Sequence, residues 1–184
     1  IFLKLFFMKK ILFILLALTS IVSAQKKDIT LEEIWSGAFR VEGMNELNSM
    51  SGDYYTLLDF NSNTKSTSVD KYSYKTLERV ETIVDSKNLK DLKYFETYSF
   101  NNNETKLLLG VNLQPIYRHS TLGIYFTYDI ATKTLQLIDN EKIQEPTFSP
   151  DSKKVAYVKG NNIYIKNLEN NQTFQITTDG EKNK

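Results

Sequence analysis

The 184 residues are 41% apolar, 12% aromatic and 24% charged, with 23 basic against 22 acidic side chains. That is the composition of a folding chain with a packed core, and the even charge leaves no electrostatic case for binding nucleic acid. The absence of cysteine excludes thiol catalysis, disulfides and cysteine-based zinc sites, and a single histidine, His119, excludes any mechanism that needs two imidazoles.

Met8-Lys9-Lys10 precedes the apolar run Ile11 to Leu18, a charged start on a stretch too short to span a bilayer as a mature helix. Residues 8–24 are therefore predicted to be a secretory signal, cleaved after Ala24, with residues 1–7 lying upstream of the initiator. Its removal leaves 20 basic and 22 acidic side chains. The expected location is exported, periplasmic or secreted. Stability there must come from burial alone, since no disulfide can form.

Residues 25–46 are predicted to form an N-terminal segment with one short helix. Ile29, Leu31, Ile34, Trp35 and Ala38 recur at three and four residue steps between Asp28 and Phe39, and Thr30 with Glu33 has the spacing of a capping box. Adjacent helix positions point to different sides and carboxylates suit a first turn, so Glu32 and Glu33 are read as structural rather than as an acid/base pair.

Beyond Asn45 the pattern turns to short alternating runs: Tyr54 to Phe60, Lys106 to Leu113, Gly123 to Ile130, Lys154 to Lys159 and Asn162 to Leu168. They also repeat. Ser51, Ser99 and Ser149 stand 48 and 50 residues apart, each leading through a polar turn towards an apolar strand, a period that fits propeller blades. The fold class is thus all-β, a partial propeller of about three four-stranded blades over residues 47–184, with the unit from Leu47 to Asp85 the least regular.

The second unit is longer than the third by ten residues between two adjacent strands, which predicts an enlarged loop containing Gln114 to Thr121. Three blades do not close a ring, since propellers use about four to eight, so the chain is expected to be part of a longer polypeptide.

Tyr117-Arg118-His119-Ser120, Tyr128-Asp129-Ile130, Pro146 to Val158, Asn162 to Ile165 and Ile176 to Gly180 run in an order that resembles the N-terminal propeller of dipeptidyl-peptidase IV-like serine peptidases of the prolyl oligopeptidase family. The resemblance implies an exported exopeptidase that removes N-terminal dipeptides with Pro or Ala second, built from an eight-bladed propeller and an α/β-hydrolase domain. It also implies that Arg118 is the substrate-binding arginine contacting the dipeptide's carbonyl oxygen, and that His119 is not the catalytic histidine. The family's paired glutamates are expected beyond residue 184, and Glu32-Glu33 does not match their motif.

No Gly-x-Ser-x-Gly occurs, so no catalytic residue is nominated, and no cofactor or metal site is expected. The expected partners are peptides with free N-termini, a hydrolase domain of the same polypeptide and, as in relatives, a second copy in a homodimer. The alternative reading is a noncatalytic exported propeller that serves as a scaffold or binding module.

Overall fold

The computed structural model describes residues 28–40, 46–118 and 120–182. The predicted signal peptide and His119 lie outside the described residues. The chain divides into two compact units, residues 1–43 and 44–184.

In the first unit, helix α1 (Leu31–Ser36) has the predicted capping box. Thr30 Oγ1 accepts from the Glu33 amide at 3.2 Å, and the Glu33 carboxylate accepts from the Thr30 amide at 3.3 Å. Gly37, at φ 78°, ends the helix in the left-handed conformation that glycine adopts without a Cβ clash.

The second unit is a run of antiparallel strands. Strands β1 (Leu47–Met50), β2 (Tyr54–Asn61), β3 (Ser66–Ser73) and β4 (Arg79–Asp85) form a four-stranded meander, the first blade. Strands β5 (Thr97–Phe100), β6 (Lys106–Tyr117), β7 (Ser120–Asp129) and β8 (Thr134–Leu137) form the second. Strands β9 (Ile143–Phe148), β10 (Lys154–Lys159), β11 (Asn162–Asn167) and β12 (Thr173–Gln175) form the third. Blades two and three are joined along β7, whose Leu122 and Gly123 pair with Gln144 and Ile143 of β9.

The apolar run Leu107 to Val111 is continuous because β6 is buried on both faces. Side chains alternate across a strand, so Leu107, Leu109 and Val111 pack with Val69, Val84, Phe95 and Tyr98 in a core between blades one and two. Leu108 faces the other way and joins Tyr125, Ile138, Ile143, Val155 and Tyr157 between blades two and three. Large apolar side chains stay exposed on blade one, at Phe60, Leu77 and Val80, and on blade three, at Ile163, Phe174 and Ile176.

Two expectations are corrected. The first strands of the three blades end at Met50, Phe100 and Phe148, so the spacings are 50 and 48 residues and Ser99 is not the counterpart of Ser149. Asn101 is. Its backbone amide bonds Lys106 O and its side-chain oxygen accepts from the Lys106 amide, as Ser149 does with Lys154. Glu104 and Ser152 then occupy the same left-handed turn position, at φ 54° and 60°.

The enlarged loop is no loop either. Residues 114–117 and 120–121 continue the strands as a β-hairpin, leaving only the turn at its tip. Pro115 argues against a strand in general, but β5 pairs with β6 only as far as Gly110, so Pro115 sits where the second edge of β6 has no partner strand to receive an N–H.

Candidate functional site

Arg118 stands at the turn of the β6–β7 hairpin and is exposed. Among the described residues it has no ion-pair or hydrogen-bond partner, and Tyr117 beside it is 73% exposed. An arginine held this way keeps all five donors free for a carbonyl or carboxylate.

The hairpin's direction is set by its root. Val111 pairs with Ile124 and Gln114 with Leu122, so β6 carries one extra residue here, a β-bulge. Asn112 occupies it at φ 55°, a conformation that asparagine tolerates better than most residues.

The bulge removes Asn112 from the ladder, and side chains take over its backbone groups. Glu96 Oε1 accepts from the Asn112 amide at 2.8 Å, and Lys142 Nζ donates to its carbonyl at 3.0 Å. Tyr94 donates its hydroxyl proton to Asn112 Oδ1 at 3.0 Å. A second bulge lies nearer the tip, where Pro115 pairs with Thr121 and Tyr117 with Ser120.

Leu113 packs into space left by two glycines. A Cβ on Gly123 would collide with Leu113 Cδ2, and one on Gly110 would lie 2.8 Å from both Thr97 and Tyr125. A polar cleft of about 210 Å³ opens beside the root, lined in part by Ser99, Thr121, Tyr125 and Glu145. Tyr125 shares a hydrogen bond of 3.0 Å with Thr121, and burial, opposed by that bond, raises its phenol above the ordinary range. Among the described residues no group of three or more His, Cys, Asp or Glu side chains is placed to hold a metal.

The predicted site residue Arg118 is therefore presented on a built hairpin, and the Asn112 clamp is what the sequence reading missed. Its signal was there: an asparagine interrupting the apolar stretch from Leu107 to Leu113 marks a bulge in a buried strand. Glu32 and Glu33 remain in the first turn of α1, with Glu33 spent on capping.

Successive four-stranded antiparallel blades, packed face to face, define a sector of a β-propeller. Residues 101–184 match the model of the dipeptidyl peptidase IV N-terminal region. Dipeptidyl aminopeptidase B of Saccharomyces cerevisiae is 33% identical over 130 residues, which are 70% of this chain and 15% of that protein. A dipeptidyl-aminopeptidase B from Aspergillus niger is 27% identical over 177 residues, or 86% of this chain and 19% of the relative. The crystal structure of Porphyromonas gingivalis dipeptidyl peptidase 4 superposes with a TM-score of 0.72 at 30% identity, covering 85% of this chain and 22% of that one. The chain carries an N-terminal propeller region of the dipeptidyl peptidase IV type. It spans about a fifth or less of the length of these relatives.

Proposed function

We propose that this chain is the substrate-reading part of an exported serine exopeptidase that releases N-terminal dipeptides with Pro or Ala second. The propeller restricts access to a hydrolase domain of the same polypeptide, and Arg118 anchors the peptide's N-terminal end by donating to a carbonyl oxygen of the bound dipeptide. The observation that carries this reading is the free guanidinium at the tip of a supported hairpin, within the residues that match the dipeptidyl peptidase IV N-terminal region.

The chemistry is divided between two parts. Arg118 binds and orients the peptide end, while the nucleophile, its histidine and its acid come from the hydrolase domain. A carbonyl oxygen carries only partial negative charge, so a permanently cationic donor with a fixed fork holds it better than a flexible ammonium does.

Kinetics of the full-length enzyme on a chromogenic dipeptide substrate provide the test. Arg118→Ala is expected to lower kcat/KM by about tenfold to a hundredfold, the worth of one charge-assisted hydrogen bond. Arg118→Lys should recover part of the loss. Unchanged kinetics in Arg118→Ala would reject the assignment.

A further inference from the structure

We propose that Asn112, clamped by Tyr94, Glu96 and Lys142, is the fixed bend that sets the direction of the Arg118 hairpin, which makes these four positioning residues for the substrate's N-terminal end. The role in substrate positioning rests on the function proposed for Arg118; the role in fixing the hairpin does not.

Arg118 lies six positions beyond Asn112, roughly 20 Å of extended chain. A swing of about 10° at the root displaces the tip by about 3 Å over that length, enough to break a hydrogen bond. Past the bulge, β6 has β7 on one edge and no strand on the other, because β5 stops pairing at Gly110. A two-stranded ribbon on its own is marginal in water. Its direction must be fixed at the root.

Two devices fix it. One is the Leu122 and Gly123 pairing with β9, which ties the β7 side of the hairpin to blade three. The other is the clamp, which ties the β6 side. Tyr94 and Glu96 come from the segment leading into β5, and Lys142 from the segment leading into β9. Asn112 is thus held from both neighbouring strand starts, through its amide, its carbonyl and its side chain. The Glu96 backbone amide also donates to Gly110 O at 2.7 Å, which places the carboxylate where the bulge turns its N–H outward.

Each group in the clamp answers a need of the bulge. The extra residue has lost its ladder partners, and its φ of 55° is uncommon for a side chain other than glycine. The geometry persists because three side chains together stabilise it against the regular register. If the clamp is removed, β6 can relax towards the register that β7 would otherwise take, and the side chains beyond it change face.

The test uses Glu96→Ala and Glu96→Gln in the full-length enzyme, with two readouts. The first is amide hydrogen exchange over residues 114–122. Exchange is expected to quicken by about tenfold or more in Glu96→Ala and to stay near wild type in Glu96→Gln, which keeps the acceptor oxygen. The second is kcat/KM with Arg118 present or replaced by Ala. Glu96→Ala should cost about tenfold with Arg118 in place and nothing further without it, since the clamp acts through that side chain.

Unchanged exchange in Glu96→Ala would overturn the clamp whatever the kinetics. Equal losses of kcat/KM with and without Arg118 would overturn the aiming of Arg118. A silent Arg118→Ala combined with faster exchange in Glu96→Ala would remove the proposed function and leave the fixed bend established.

Discussion

Asn101 donates its side-chain amide to Ser152 Oγ at 2.8 Å, in a buried contact that joins the first turn of blade two to the same turn of blade three. The remaining bonds of Asn101 are local. Its oxygen accepts from the amides of Thr105 and Lys106 at 2.8 and 2.9 Å, and its nitrogen also donates to Thr105 Oγ1. One side chain therefore closes a turn and links two blades.

Asn101→Ala is expected to destabilise the fold by about 2–4 kcal/mol, because two partly buried amides and the hydroxyls of Thr105 and Ser152 lose their partner together. Ser152→Ala removes only the link between blades and should cost about 1 kcal/mol. Equilibrium urea unfolding of the two variants checks the ranking, and equal losses would contradict it.

Blades one and two share a similar link, the Thr56 hydroxyl against the Tyr98 hydroxyl at 2.8 Å, with Thr56 fully buried. Tyr98→Phe keeps the ring in the core and leaves Thr56 bonded to Asn48 O alone. The expected loss is about 1 kcal/mol, smaller than the 3–5 kcal/mol of Tyr98→Ala, which also opens a cavity. Thermal melting of both variants checks the order.

These contacts also explain how far the sequence could be read. The repeat was visible because Phe148-Ser149-Pro150-Asp151 announces a strand end and turn, yet matching serine to serine put blade two out of step by two residues. Asn101 does the work of Ser149 with a different side chain, so the repeat lies in hydrogen-bonding role rather than in residue identity. Blade one looked irregular because polar residues fill buried positions along its strands: Thr56, Ser66, Thr67 and Asp70 are buried. Asp70 is bonded there to Ser68 and Thr82, which an apolar alternation rule does not detect. Arg118 was legible through its neighbours, whereas the clamp joins residues up to 30 positions apart and leaves only Asn112 as a local mark.

Lys106 and Asp129 are direct partners across β6 and β7 and form a close ion pair. The Lys106 ammonium, helped by the Thr132 amide, holds the Asp129 carboxyl down to about 2 against burial that opposes it. A depressed carboxylate pKa adds stability that is present above the ordinary value near 4 and is lost as pH falls through it towards 2. Partial solvent screening leaves the contribution at about 1–2 kcal/mol. Melting temperature should therefore fall more steeply between about pH 4 and pH 2 in the natural chain than in Lys106→Met. Parallel acid limbs would refute the assignment.

Gly123 is needed where Leu113 crosses the hairpin root, because a Cβ there would also lie 3.2 Å from Val111 O and 3.3 Å from Tyr125. Gly123→Ala should cost about 1–3 kcal/mol by overpacking. Trimming Leu113 as well should restore part of that loss, so the double variant Gly123→Ala/Leu113→Ala is expected to be more stable than the sum of the singles predicts. Additive losses in a denaturant double-mutant cycle would show that the two positions do not meet.

The third blade carries a network whose response lies at high pH. Tyr157 donates to Asp139 Oδ2 at 2.8 Å, Lys159 Nζ donates to the same oxygen at 2.8 Å, and Lys166 Nζ donates to the carbonyls of Leu137 and Ile138. Burial of Tyr157, then its hydrogen bond to the Asp139 carboxylate, raises its phenol well above the ordinary range, since ionisation would set two anions together in the core. A raised pKa adds stability that is complete below the ordinary tyrosine value near 10 and is lost as pH climbs beyond it through the folded value. Tyr157→Phe should cost about 1 kcal/mol at neutral pH, yet lose less stability than the natural chain as the solution is made alkaline. Urea midpoints measured from neutral pH upwards, with phenolate absorbance followed in parallel, test both halves; an alkaline limb unchanged in Tyr157→Phe would place the titration elsewhere.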